Sequence, residues 1–187
     1  MSVSNYIEFL LDGKRHRIDF RGENALKPST TVLNYLRGFD NHKGVKEGCA
    51  EGDCGACTVV VASPGENGKL TYQAIDSCLV FLPMIHGKQL ITVENLSQRK
   101  GDGKELHPIQ KAMVSENGTQ CGYCTPGFVM STFALYKTHQ KPSQEVVLDA
   151  LTGNLCRCTG YKPIINAAHK ACHPIESDHF SSEEKKI

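Results

Sequence analysis

The chain has 187 residues and a formal net charge of +1, with 40% of its residues hydrophobic and 22% charged. These values are typical of a globular protein and exclude a chain that is disordered for most of its length. The near-neutral balance gives no indication of a nucleic-acid or membrane-surface partner, and no apolar run approaches the roughly 20 residues of a membrane span. The unusual feature is a count of nine cysteines.

The first half of the chain has the pattern of a small α+β domain. Alternating apolar residues on both sides of Asp12-Gly13 predict a hairpin with a two-residue turn. A short helix capped by Ser29 or Thr30 is expected next. Further strands are predicted over residues 58–62, 70–75 and 88–93. We expect this domain to span residues 1–95 and a polar linker to occupy residues 96–106.

The second half of the chain has the pattern of short helices. Four are predicted, with starts at Pro108, at Thr125, after Ser143 and at Pro163. Their brief connections favour an all-α four-helix bundle over residues 107–172. Residues 173–187 are predicted to be a polar, solvated tail.

The cysteines indicate metal binding rather than disulfides. The N-terminus lacks a secretory signal, so we expect a reducing, cytoplasmic environment, where clustered thiols more often bind metal. An odd number of cysteines would also leave one thiol outside a complete disulfide framework. Cys172 stands apart and is expected to be a buried free thiol, whereas the other eight cysteines divide into two sets of four.

The first set follows the plant-type [2Fe–2S] spacing. Cys49, Cys54 and Cys57 form C-x4-C-x2-C, and Cys78 is the distant fourth ligand. Glycines in the loop allow the backbone to approach an anionic cluster and to aim N–H groups at it. The alternative is a four-cysteine zinc site, but zinc fingers normally pair two C-x2-C knuckles and do not place three ligands in one loop.

The second set has a less familiar spacing. Cys121 and Cys124 form C-x2-C, and Cys156 and Cys158 form C-x-C. This spacing alone permits zinc or a dithiol redox pair as well as an iron–sulfur cluster. Cys124 and Cys158 both precede a helix with proline near its start, so two positive helix ends are expected to face the thiolates, which favours the anionic cluster.

Three motifs resemble the iron–sulfur part of the molybdenum hydroxylases, the family that includes xanthine dehydrogenase, aldehyde oxidase and carbon monoxide dehydrogenase. They are EGCAEGDCGAC at residues 47–57, QCGYCTPG at residues 120–127 and GNLCRCTGY at residues 153–161. The resemblance covers the chain from the first hairpin to about Cys172. It implies a β-grasp, plant-type ferredoxin-like domain followed by an all-α four-helix bundle.

The same resemblance implies a role for each cysteine set. Cys49, Cys54, Cys57 and Cys78 would hold the [2Fe–2S] cluster nearer a flavin. Cys121, Cys124, Cys156 and Cys158 would hold the [2Fe–2S] cluster nearer the molybdenum cofactor. Gln120, through its amide, and Cys158 would contact the molybdopterin of that cofactor.

The resemblance further implies an electron-transfer component of a xanthine dehydrogenase-like oxidoreductase. Electrons would pass singly from the molybdopterin site through both clusters to FAD. An all-thiolate cluster is coordinatively filled, so the catalytic site is expected elsewhere, with molybdopterin and FAD on partner chains or missing segments. The alternatives are a structural four-cysteine zinc scaffold, a free-standing ferredoxin and a subunit of a related aldehyde or carbon monoxide hydroxylase. The chain could be a small subunit or a piece of a longer polypeptide.

Overall fold

The computed structural model describes residues 5–100, 103–173 and 180. In this part of the chain, a five-stranded mixed sheet is followed by a short second hairpin and a group of helices. A mixed sheet with helices agrees with a ferredoxin-like [2Fe–2S] domain, the coarser part of the predicted fold class.

The strands of the main sheet lie in the order β2-β1-β5-β3-β4. β1 pairs with β5 in parallel, and the other neighbouring strands are antiparallel. The bounds are Tyr6–Leu11 for β1, Lys14–Asp19 for β2, Thr58–Pro64 for β3, Leu70–Asp76 for β4 and Gln89–Ile91 for β5. The predicted first hairpin is confirmed, because Asp12 and Gly13 take the positive φ values of 49° and 77° that favoured two-residue turns use.

The first helix, α1, covers Val32–Arg37, and its cap lies one residue after Thr30 and two after Ser29, the two predicted caps. Thr31 is its N-cap, and the Thr31 hydroxyl accepts the backbone N–H of Asn34 at 3.2 Å. The local sequence did not identify the capping residue, because the hydroxyl of Ser29, Thr30 or Thr31 can each accept a free N–H of a first helical turn.

Four helices follow in the second half of the described chain. They are α2 at Pro108–Ser115, α3 at Thr125–Thr138, α4 at Gln144–Leu151 and α5 at Lys162–Ala171. Ser143 caps α4 as predicted, its hydroxyl accepting the N–H of Val146. His107 caps α2 through its ring, in a reciprocal arrangement with Gln110. None of the helices in the described ranges is long and apolar enough to cross a membrane.

Strand β3 lies between two hydrophobic cores because its side chains alternate between the faces of the sheet. Val59 and Val61 pack into the core that contains α1. Val60 and Ala62 pack into the core formed with the later helices. The sheet therefore connects the two halves of the molecule.

Two regions differ from simple sequence expectation. The predicted polar linker contains a hairpin of β6, Gln98–Lys100, and β7, Gly103–Glu105. In the predicted solvated tail, Phe180 is instead buried, with 1% of its surface exposed. Its ring centroid lies 4.8 Å from that of Phe133 in α3, so packing on the helical core overrides the polar composition around it. The rest of the predicted tail beyond His173 lies outside the described residues.

Candidate metal centres

The first cysteine set lies on the loop before β3 and just after β4. Cys49 Sγ accepts backbone N–H groups from Glu51 at 3.5 Å and Asp53 at 3.3 Å. The backbone N–H of Cys49 in turn points at Cys54 Sγ, 3.4 Å away. The N–H of Glu51 and the neighbouring Cys54 thiol lower the pKa of Cys49 to about 7, so this loop is built to hold a thiolate.

The other two thiols of the first set form a separate, buried pair. Cys57 Sγ lies 3.4 Å from Cys78 Sγ, and both residues are buried. Burial raises the pKa of Cys57 to about 12. A metal ion bound here must therefore displace a proton from Cys57, as thiolate ligation requires.

Gly48 allows the loop to close over its own cysteines. A Cβ at this position would lie 2.8 Å from Cys54 Sγ and 3.4 Å from the Ala56 Cβ. A side chain would thus occupy the space beside a candidate ligand, and only glycine lets the backbone pass so close.

The second cysteine set also forms two pairs. Cys121 Sγ and Cys158 Sγ are 3.5 Å apart, and both residues are exposed. Cys124 interacts with the buried Cys156, and burial followed by this contact raises the pKa of Cys124 to about 12. The structure therefore brings the predicted partners of each motif together across 31 intervening residues.

Cys156 is surrounded by polar groups that its motif supplies. Burial acts to raise the pKa of Cys156, but the Thr159 hydroxyl, 3.2 Å from the sulfur, and backbone N–H groups lower it overall. The backbone N–H of Cys156 donates to the Tyr161 hydroxyl at 3.0 Å. Tyr161 is the N-cap of α5 and has a φ of 66°. Sequence reasoning did not find this hydrogen bond, because it depends on the unusual turn at Tyr161.

The N-terminal ends of α3 and α5 both lie near cysteines of the second set in the sequence, but at different distances. Cys124 is itself the N-cap of α3, which agrees with the predicted helix end at this thiol. Cys158 lies three residues before the N-cap of α5, so its relation to that helix end is less direct.

Gln120 is adjacent in the sequence to an exposed cysteine of the second set. It is exposed and directly precedes Cys121, whose sulfur neighbours that of Cys158. Arg157, between two candidate ligands, is also exposed. These residues are accessible to a molecule that approaches from outside the chain.

The two cysteine sets are in backbone contact with each other. The N–H of Leu155, which directly precedes Cys156, donates to the carbonyl oxygen of Cys54 at 3.0 Å. Beside it, the buried side chain of Asn154 donates to the carbonyl oxygen of Gly55 at 3.0 Å. Asn154 was not singled out from the sequence, since its partners lie almost a hundred residues away.

The pairwise arrangement of thiols bears on the kind of metal group that fits. In a [2Fe–2S] cluster each iron takes two protein ligands, whereas a structural zinc ion takes four. Two thiol pairs in each set therefore fit a binuclear cluster.

Two family models match the chain. A 2Fe-2S iron-sulfur cluster binding domain matches residues 13–81, and a [2Fe-2S] binding domain matches residues 92–169. The xanthine dehydrogenase of Emericella nidulans is 46% identical over 170 residues, which cover 90% of this chain and 12% of that protein. The chain belongs to the xanthine dehydrogenase and aldehyde oxidase family as an iron–sulfur module.

Other relatives agree with this assignment. Aldehyde oxidase 2 of Rattus norvegicus is 42% identical over 176 residues, which cover 94% of the iron–sulfur module and 12% of the oxidase. Among solved structures, quinoline 2-oxidoreductase from Pseudomonas putida 86 matches with a TM-score of 0.72 and 29% identity, over 92% of the module and 98% of that chain. Aldehyde oxidoreductase from Desulfovibrio gigas matches with a TM-score of 0.74 and 32% identity, over 89% of the module and 17% of that chain. The module thus spans about an eighth of the length of these curated relatives.

Proposed function

We propose that this module relays single electrons within a xanthine dehydrogenase-like molybdenum hydroxylase, from a molybdopterin site through two [2Fe–2S] clusters to FAD. Molybdopterin and FAD belong to partner chains or to segments outside this sequence. The observation that carries the proposal is the arrangement of eight thiols as two sets of two pairs, each set inside a [2Fe–2S] binding domain.

Each set of four cysteines is assigned to one cluster. Cys49, Cys54, Cys57 and Cys78 hold the first. Cys121, Cys124, Cys156 and Cys158 hold the second. When bound, such clusters supply reversible one-electron carriers whose coordination is filled by thiolate and sulfide. The chain itself then needs no substrate site, and catalysis takes place at the partner's molybdenum.

The polypeptide contributes hydrogen-bond donors and controlled exposure. The N–H groups of Glu51 and Asp53 stabilise negative charge on the Cys49 sulfur. Burial of Cys57 and Cys78 keeps water from one half of the first site. Both effects favour a cluster that cycles between charge states without loss of its ligands.

The exposed face of the second set is proposed to meet the molybdopterin-binding partner. Cys121 and Cys158 are exposed with their sulfurs side by side, and the adjacent Gln120 is exposed too, which leaves its amide and a ligand sulfur accessible to the pterin. The first set then faces the FAD-binding partner, next to the exposed apolar side chain of Leu79, which follows Cys78.

The finer fold and cellular assignments belong to the same proposal. Residues 1–95 form a β-grasp ferredoxin-like domain, residues 107–172 a four-helix bundle and residues 96–106 the connection between them. The nine free thiols are consistent with a cytoplasmic location, where thiols stay reduced. Purines or related heteroaromatics are the proposed substrates of the complete enzyme and aldehydes the second choice, since both xanthine dehydrogenases and aldehyde oxidases are relatives.

Metal analysis and electron paramagnetic resonance test the proposal. The full chain, purified without oxygen, is expected to contain about four iron and four acid-labile sulfides, since each of two clusters takes two of each. Reduction with dithionite should produce two distinct paramagnetic signals. A colourless protein with about two zinc ions would support the structural scaffold and overturn the proposal. A stable, partner-free protein that carries both clusters, and that fails to bind a molybdopterin-containing chain, would favour a free-standing ferredoxin.

A further inference from the structure

Asn154 occupies the junction between the two cysteine sets. Its side chain is 4% exposed and lies two residues before Cys156. One amide hydrogen is directed to the carbonyl oxygen of Gly55 at 3.0 Å and the other to the hydroxyl oxygen of Thr58 at 3.1 Å. The Ser131 hydroxyl donates to Asn154 Oδ1 at 2.6 Å. Both amide hydrogens and the amide oxygen therefore have partners, which fixes the side chain in one orientation.

These three partners come from different parts of the fold. Gly55 belongs to the first cysteine loop, Thr58 begins β3 and Ser131 lies on α3. Thr58 also donates its hydroxyl to the Gly55 carbonyl at 2.7 Å, so the loop is held from two directions. A buried polar network in which each group has a partner favours a single arrangement of the elements that it joins.

The position of Gly55 determines where the preceding carbonyl lies. The Cys54 carbonyl oxygen, one peptide unit before, accepts the N–H of Leu155 at 3.0 Å. This hydrogen bond connects a candidate ligand of the first site to the residue that precedes Cys156, a candidate ligand of the second. The route from the Cys54 sulfur to the Cys156 sulfur then consists of covalent bonds and a single hydrogen bond.

We propose that Asn154 is a positioning residue for electron exchange between the two iron–sulfur sites. Its amide holds the first cysteine loop so that the Cys54 carbonyl stays bonded to the Leu155 N–H, which shortens the route between the sites. The step is the transfer of one electron, in which no bond forms or breaks and no proton moves. The inference rests on the proposed electron relay. It adds to that relay a side chain that couples the first iron–sulfur site to the second.

The test uses Asn154→Ala in the full, cluster-loaded chain. Expected are unchanged iron and sulfide contents and both paramagnetic signals, but weaker magnetic coupling between them after full reduction. Electron equilibration between the sites after flash reduction should be slower than in the wild type, because loss of the amide bonds to Gly55 and Thr58 frees the loop that carries the Cys54 carbonyl. Coupling and rate identical to those of the wild type would overturn the inference.

Further variants separate positioning from stability. Val147→Ala, in the helical core, should lower the unfolding temperature and leave the coupling unchanged. Ser131→Ala removes one bond of the amide, and Thr58→Val removes one bond of the amide together with the Thr58 bond to the Gly55 carbonyl. A partial loss of coupling is expected from both variants. If Asn154→Ala fails to retain its clusters, Ser131→Ala and Thr58→Val test the inference instead. Weaker magnetic coupling in these variants supports it, and wild-type coupling in both overturns it. A wild-type chain without two paramagnetic clusters would instead overturn the proposed function.

Discussion

Gly127 in α3 faces the carbonyl oxygen of Gly55 with no room for a side chain between them. A Cβ on Gly127 would lie 2.1 Å from that oxygen and 3.1 Å from Asn154 Nδ2. The start of α3 therefore meets the first cysteine loop backbone to backbone. Cys124, three residues before Gly127, is thereby held close to the first set.

Gly127→Ala should destabilise the protein although Ala is the better helix former. Alanine would ordinarily gain about 1 kcal/mol over glycine in a helix, whereas overpacking a fitted interior costs about 1–3 kcal/mol. We expect a lower unfolding temperature. Gly153→Ala is the matched control, because nothing lies within 4 Å of its Cβ position and little change is expected. A Gly127→Ala protein more stable than the wild type would show that α3 and the first cysteine loop can move apart without loss of stability.

Cys54→Ser should remove the first cluster and leave the second largely intact. A serine hydroxyl is a poorer ligand than a thiolate for iron in an all-cysteine site, and the second set shares no ligand with Cys54. Iron should fall from about four to about two per chain, with loss of one of the two paramagnetic signals. Both signals unchanged would show that the ligand assignment is wrong.

Cys172→Ala is the control for this ligand experiment. Cys172 is a buried free thiol, as predicted, and burial raises its pKa to about 11. The substitution removes one sulfur from the core without removing a proposed ligand. Both paramagnetic signals and the full iron content should therefore persist.

Local signals in the sequence account for much of the fold. The turn at Asp12-Gly13, the cap at Ser143 and the proline in the first turn of α5 are each determined by neighbouring residues, and each was predicted. The parallel pairing of β1 with β5 was not, because it depends on residues almost eighty positions apart. The cysteine sets were readable because metal ligation constrains residue type as well as spacing.

What joins the sites could not be read from the sequence. Asn154 is one asparagine among several, and its selection depends on the carbonyl of Gly55 in a distant loop. The sequence left Tyr161 equally compatible with a cover over the second cluster and with a core aromatic, and it gave no sign that the Tyr161 hydroxyl accepts the Cys156 N–H. Asn154 and Tyr161 both bond to backbone groups of other residues, and a sequence pattern does not indicate which backbone groups a side chain contacts.

His42 and Asp12 form a buried polar pair in the N-terminal half. His42 Nε2 lies 3.0 Å from Asp12 Oδ2, and His42 is buried. Asp12 also accepts the N–H and the hydroxyl of Thr92 at 2.8 Å and 2.7 Å. The pair therefore ties the segment that precedes the first cysteine loop to the end of β5.

This pair should make stability depend on pH. The hydrogen bond to Asp12 raises the pKa of His42 above its ordinary 6.5, with Glu94 adding to the effect and burial and Lys14 opposing it. A raised folded-state pKa gives stabilisation that is complete below about pH 6.5 and is lost as pH rises through the folded value. The gap in unfolding temperature between the wild type and His42→Gln should thus narrow from pH 5.5 to pH 9.

Thr92→Val is the comparison for the pH experiment. It removes the hydroxyl bond to Asp12 without removing a titratable group, and should cost about the same, roughly 1 kcal/mol, at pH 5.5 and at pH 9. A His42→Gln gap that stays constant with pH would mean that the charged imidazole contributes nothing to folding.

Phe180 should contribute to stability as a core residue although it lies in a polar segment. It is 1% exposed and packs on Phe133 at 4.8 Å between ring centroids, with the rings inclined by 51°. Replacing a buried Phe by Ala commonly costs about 3–5 kcal/mol, so Phe180→Ala should lower the unfolding temperature substantially. Val114→Ala, at a side chain that is 62% exposed, should have little effect. A Phe180→Ala protein that unfolds at the same temperature as the wild type would show that the contact with Phe133 contributes nothing to stability.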